Sequence, residues 1–287
     1  MSKRSKCCII GIPDHQGVLN VGGRIGAGSG PSSFRKFFNR LQGRVPFDGR
    51  SHDLGDVSGL TADVALNHRL AAEFIHKGHF ESGLSIIIGG GHDHGHSHLL
   101  GVSQALEALG KPFQLGCINI DAHLDVRKPN PKISSGSPFY LSLESRVLLP
   151  ERFVEFGIQS HCNSLALWEY VAQKKVDVVP FHQLRGGRAP SIFTEKLRQL
   201  ASHCSAVVVS LDLDSIASAF APGVSAPQAE GFTSMEVIEM MEIAGATQEV
   251  VSLGIFELNP EHDLDNRTSR LAATAAYHFL ETVLTRI

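Results

Sequence analysis

The chain has 287 residues, is 43% hydrophobic and 19% charged, and carries a formal charge of −3 at pH 7. That is enough apolar material for one large core, so a single catalytic domain over 1–287 is the expected organisation. The absence of a basic run argues against nucleic-acid or membrane-surface binding, and no stretch reaches the roughly 20 apolar residues of a membrane span.

In chain order, the opening residues 1–6 are basic, but the apolar run from Cys7 to Ile12 is too short for a secretory segment. A soluble, cytoplasmic protein is expected. Strands are predicted over Lys6–Ile12, Leu84–Ile88, Leu115–Ile120, Arg152–Ile158, Val176–Phe181, Ala206–Leu213 and Val250–Leu258. Helices are predicted over Pro31–Leu41, Ala62–Lys77, His98–Leu109, Ser164–Gln173, Pro190–Ala201, Ser234–Ile243 and Thr268–Leu284. The strands are nearly continuous apolar runs, as strands covered on both faces are. Alternation of this kind implies an α/β fold with three αβα layers and a mainly parallel central sheet; an eight-fold barrel needs one more strand. The five cysteines, Cys7, Cys8, Cys117, Cys162 and Cys204, form no CxxC and read as small buried hydrophobes.

Ligands of open α/β sheets bind beyond the carboxyl ends of the strands. The residues there are Gly89-Gly90-Gly91-His92-Asp93-His94, Asp121-Ala122-His123-Leu124-Asp125, Asp212-Leu213-Asp214 and Glu257-Leu258-Asn259. Alternation along extended backbone turns Asp121, His123 and Asp125 to one side, and Asp212 and Asp214 likewise. One aspartate after a strand usually caps the next helix. Three such clusters are better explained as ligands of two divalent ions: His92, Asp121, His123, Asp125, Asp212 and Asp214. Four carboxylates balance two such ions, and a set of oxygen and imidazole donors without thiolate suits Mn²⁺, and less selectively Zn²⁺, Ni²⁺, Co²⁺ or Fe²⁺. Two metals roughly 3.5–4 Å apart activate water for hydrolysis. His94, His96 and His98 read as hydrogen-bonded residues at a helix start, with one of them open as a proton shuttle; Asp93 is a candidate to orient His92. Glu257 suits a cationic amidinium or guanidinium, or else a structural ion pair. Arg127 suits a substrate carboxylate or the metal-site acids, and Asn163 a helix cap.

Gly-Gly-Gly-His (89–92), Asp-Ala-His-Leu-Asp (121–125) and Ser-Leu-Asp-Leu-Asp (210–214) resemble the ureohydrolases: arginase, agmatinase and formimidoylglutamase. The resemblance extends to Asn20–Ala27, Gly30-Pro31, Glu257–Pro260 and Arg267–Ala272. Within the family, Ser135–Phe139 and Ala221–Pro227 lean toward formimidoylglutamase. The resemblance implies an arginase-like sheet, two Mn²⁺ per chain, a homo-oligomer, and hydrolysis of N-formimidoyl-L-glutamate to L-glutamate and formamide in histidine breakdown. It implies that Glu257 holds the amidine-type group, and it makes Asp125 and His98 candidate catalytic residues beside Glu257. Arg127 and Asn163 are candidate substrate-binding residues. Departures are the His-rich 94–98 segment, Ser215-Ile216-Ala217 where Asp-Pro is common, and the lack of an arginase-type histidine near Ser134–Phe139, which leaves the proton donor unassigned. The alternatives are another ureohydrolase that releases urea from agmatine, arginine or a guanidino acid, and a metal-binding protein without turnover.

Overall fold

The computed structural model describes residues 7–43 and 50–286; Lys6 and the basic start at 1–6 lie outside the described residues. Eight strands form one sheet: β1 (Cys7–Gly11), β2 (Ser51–Asp56), β3 (Ser85–Ile88), β4 (Leu115–Ile120), β5 (Phe153–Ile158), β6 (Asp177–Pro180), β7 (Ala206–Asp212) and β8 (Val250–Phe256). Their order is β2-β1-β3-β8-β7-β4-β5-β6, and every pairing is parallel. The sheet is therefore open, with edges at β2 and β6, and not a barrel.

Nine helices flank it: α1 (Gln16–Asn20), α2 (Gly30–Phe38), α3 (Val64–Ser82), α4 (His94–Ala108), α5 (Pro138–Glu144), α6 (Leu165–Lys174), α7 (Ala189–His203), α8 (Ser234–Ala246) and α9 (Arg267–Thr285), a count for the described residues. Alternate strand residues feed two apolar layers. Ile86, Ile118, Val207, Val209, Leu253 and Ile255 meet Phe34 of α2, Phe193 of α7, Met240 of α8 and Phe279 of α9. On the other face Ile87, Cys117, Val208 and Phe153 meet Ile75 of α3, Val102 of α4, Phe139 of α5 and Val171 of α6. Burial on both faces is why these strands lack polar alternation. No described helix is long and apolar enough to cross a membrane.

Local chemistry sets the helix limits. Asp63 caps α3 by accepting from the amides of Ala65 and Leu66, two residues later than the predicted start, and Thr233 and Glu236 form a reciprocal capping box on α8. Three elements have no counterpart among the sequence expectations: β2, α1 and α5. Strand β2 is polar, Ser51-His52-Asp53-Leu54-Gly55-Asp56, and partly exposed at the sheet edge. Arg35 of α2 ties it down through Asp53 (2.7 and 3.0 Å) and Asp56 (2.5 Å).

The turn after β3 is tightly packed against Asp14. The amide of Gly91 donates to the Asp14 carbonyl at 3.0 Å, and that of Glu257 to the Gly90 carbonyl at 2.8 Å. A Cβ on Gly90 would stand 1.5 Å from the Asp14 carbonyl oxygen, which is backbone and cannot step aside. Gly90→Ala is expected to cost about 3 kcal/mol or more by overpacking. Gly110→Ala, at φ 68° with open space around it, should cost only about 1 kcal/mol. Denaturant unfolding of both variants checks the contrast; equal costs would contradict it.

Candidate metal centre

Four adjacent central strands deliver the predicted ligands to one place. His92 follows β3, Glu257 follows β8, Asp212 ends β7 and Asp121 follows β4. The Nδ1 of His92 lies 3.1 Å from Asp121 Oδ2, 2.9 Å from Asp125 Oδ2 and 2.9 Å from Asp212 Oδ2. The Nδ1 of His123 lies 3.5 Å from Asp121 Oδ1 and 3.2 Å from Asp214 Oδ2. Two groups able to hold a cation result, His92–Asp121–Asp125–Asp212 and Asp121–His123–Asp214, with the ligand atoms of each within 4.8 Å of one another. Asp121 belongs to both and turns one oxygen to each.

The convergence arises differently from the extended geometry expected. Asp121 Oδ1 accepts the His123 amide at 2.7 Å, and Asp212 Oδ1 accepts the Asp214 amide at 2.8 Å. Each Asp-x-(His/Asp) pair is thus a side-chain-closed turn, which fixes the first aspartate's carboxylate in place. Asp125 (φ 45°) and Glu257 (φ 63°) have left-handed backbone, uncommon for such residues and frequent at functional sites. Asn163 does not cap a helix. It clamps the Asp121–Asp125 turn by accepting the Leu124 amide at 2.8 Å and donating to the carbonyls of Ala122 (3.0 Å) and Gln159 (2.8 Å).

His92 is held by Ser210, whose hydroxyl lies 2.9 Å from Nε2, and by the rings of Phe256, stacked at 5.0 Å, and Phe139, edge-on at 5.6 Å. Asp93 does not orient it; its Oδ2 pairs with His68 Nε2 at 2.9 Å. Helix α4 begins at His94, four residues before the predicted start, so the three histidines occupy its first turns. His94 pairs with Asp14 (3.0 Å) and His96 with Ser142 (3.0 Å). His98 is fully buried and 2.6 Å from Ser252 Oγ, and burial pushes its pKa down to about 3. Expected as a catalytic residue, it is not among the residues that line the cavity; its ring packs beside Phe256, 6.2 Å between centroids.

The cavity over these groups measures ≈ 200 Å³. Beyond the ligands, Glu257, Arg127, Ser135, Ser225 and residues 21–23 line it. Glu257 Oε1 accepts the His92 amide at 2.9 Å, while Oε2 is buried without a partner. Arg127 is exposed at the mouth, and among the described residues no acidic side chain pairs with its guanidinium. Sequence reasoning gave no role to Ser210, Phe256 or Arg24. Arg24 donates to the carbonyls of Val224 and Ser225 and so joins two cavity-lining loops. Arg24 and Ser210 do stand in the quoted motifs, but nothing in those strings indicates partners over a hundred residues away.

The side chains alone leave like charges crowded. Burial and the charge of Asp121 raise the Asp125 pKa to about 6; Asp212 and Asp214 are likewise raised, by burial and by neighbouring aspartates. Burial works against the charged imidazoles, yet Asp212 raises His92 and Asp214 raises His123. His92 Nδ1 and Asp214 Oδ1 are buried without a hydrogen-bond partner, although three carboxylate oxygens surround that nitrogen within 3.1 Å. Convergence on shared points rather than along N–H directions, with hard oxygen and imidazole donors, fits divalent cations. Loading must displace protons from His92 and His123, and from Asp125 below about pH 6, so binding strengthens as pH rises. Apparent affinity for Mn²⁺ is expected to fall roughly tenfold per pH unit for each displaced proton as pH drops from about 8 to about 5. Titration calorimetry checks this, and an affinity flat over that range would contradict it.

The sequence profile of the Arginase family matches residues 5–281. The chain is 30% identical over 280 residues to formimidoylglutamase of Staphylococcus carnosus, covering 98% of this chain and 87% of that protein. It is 31% identical over 288 residues to formimidoylglutamase of Staphylococcus aureus, with the same coverage. The crystal structure of Trypanosoma cruzi formiminoglutamase with two Mn²⁺ superposes with a TM-score of 0.89 at 28% identity, over 100% of this chain and 96% of that one. The chain belongs to the arginase family.

Proposed function

We propose that the chain, as one catalytic unit, hydrolyses a C–N bond of a linear amidine with two Mn²⁺, and that the substrate is N-formimidoyl-L-glutamate, giving L-glutamate and formamide. Family membership supports the hydrolase chemistry, and the formimidoylglutamases among the relatives support the substrate. The observation that carries the reading is the cavity. Its floor combines two cation-binding groups with the unpaired Glu257 Oε2, and its mouth offers the free guanidinium of Arg127. The family resemblance further supports a homo-oligomer, a cytoplasmic location and a place in histidine breakdown.

His92, Asp121, Asp125 and Asp212 would hold one ion, and Asp121, His123 and Asp214 the other. When bound, the pair supplies Lewis acidity and a water activated as nucleophile near neutral pH. Glu257 Oε2 accepts an N–H of the amidinium, which fixes the formimidoyl carbon over the floor and balances its charge. As the water oxygen bonds to that carbon, the carbon–nitrogen bond to the glutamate amine breaks. Asp125, at the cavity wall, carries a proton from the water to the departing nitrogen. The water oxygen leaves in formamide. Arg127 pairs with a substrate carboxylate, which a substrate lacking one cannot use. Asn163 acts by holding the Asp121–Asp125 turn, not by touching substrate.

Purified chain loaded with Mn²⁺ should release formamide from formimidoylglutamate when formamide, urea and ammonia are detected separately. Urea from agmatine or arginine would move the chain to another ureohydrolase activity, and silence on the whole panel would overturn the reading. Arg127→Ala should raise KM roughly 10- to 100-fold, about 1.5–3 kcal/mol for a charged hydrogen bond, with kcat less affected. Glu257→Gln should lower kcat roughly 100-fold or more. Steady-state kinetics on both variants checks these; unchanged KM for the first would remove Arg127 from substrate binding.

A further inference from the structure

Beneath the cation-binding groups a row of buried polar side chains crosses three central strands. Ser210 of β7 and Asn119 of β4 are register partners, as are Asn119 and Glu155 of β5, and all three are at most 2% exposed. Ser210 lies against His92 Nε2. The Nδ2 of Asn119 donates to Glu155 Oε2 at 2.9 Å and to Asp121 Oδ2 at 3.3 Å. Turning the amide over would set its oxygen against two carboxyl groups, so the orientation follows from its neighbours. Asp121 Oδ1 is fixed from the other side by the His123 amide. Both oxygens of the carboxylate common to the two groups are therefore constrained.

Glu155 is costly where it stands. The same sheet face carries Cys117, Phe153 and Val208, and an apolar side chain would suit this layer better. Burial pushes its carboxyl well above the usual range, with the Asn119 bond acting against that shift. Its Oε1 and the Oδ1 of Asn119 have no partners. Its one side-chain partner among the described residues is Asn119, which leads to Asp121.

We infer that Glu155 and Asn119 are positioning residues of the metal centre: Glu155 anchors the Asn119 amide, which holds Asp121 with one oxygen toward each cation group. This rests on the reading of the site as a dinuclear metal centre. Groups behind metal ligands typically change affinity 10- to 100-fold when removed.

The test compares Mn²⁺ affinity by titration calorimetry with the thermal midpoint of the metal-free protein. Glu155→Leu should bind Mn²⁺ 10- to 100-fold more weakly while its metal-free midpoint stays level or rises, a split that a purely structural role does not give. Glu155→Gln keeps an acceptor for Asn119 and should stay within about threefold of the parent. Asn119→Leu should resemble Glu155→Leu. Parent affinity in both leucine variants overturns the inference. So does a loss of affinity that tracks a fall in midpoint, or failure of both to fold, since either assigns the row to the fold. A parent that binds no Mn²⁺ overturns the metal-centre reading as well.

Discussion

Four aspartates and Glu257 face one another as buried side chains, and much of the site's architecture follows from relieving that repulsion. Two imidazoles reach into the cluster, but His92 Nδ1 alone cannot satisfy three carboxylate oxygens at about 3 Å. Divalent cations can. Asp121 is the pivot, because its two oxygens serve the two groups and tie their geometry together.

The fold supplies what such a cluster needs, which is rigidity without flexible arms. Every ligand ends or follows one of the strands β3, β7 or β4 within a few residues, and those strands are buried on both faces. The turns are closed by the ligands' own side chains, as in Asp121 to the His123 amide, or by neighbours such as Asn163. The aromatic bracket of Phe256 and Phe139 leaves the His92 ring little freedom. Phe256 itself needs Gly254, where a Cβ would stand 2.5 Å from its ring and 2.7 Å from His98 Nδ1. His98 thus packs beneath the centre, against Phe256 and Ser252.

Much of this was legible in the chain because burial leaves a clear mark. Apolar runs that stop at Asp121, Asp212 or Glu257 announce both a covered strand and a polar group at its end. The three-layer architecture and the six residues of the two cation-binding groups follow from that pattern. Edge strand β2 was not legible, since Ser51–Asp56 carries no apolar run and is held by Arg35 from α2. The start of α4 was missed because glycines and histidines are poor helix signals, and tertiary partners such as Asp14 and Ser142 decide the matter. Ser210 and His92 lie 118 positions apart, and spacing says nothing about such a contact. The extended geometry expected for Asp-x-His-x-Asp reached the right convergence by the wrong route, because side-chain-closed turns also bring i and i+2 to one side.

The most direct test is electron paramagnetic resonance of the purified, metal-stripped chain during stepwise addition of Mn²⁺. The account predicts uptake of two ions per chain and, at the second, an exchange-coupled signal, as expected for ions held by two groups that share Asp121. Uptake of a single ion, or two magnetically independent ions, would contradict it.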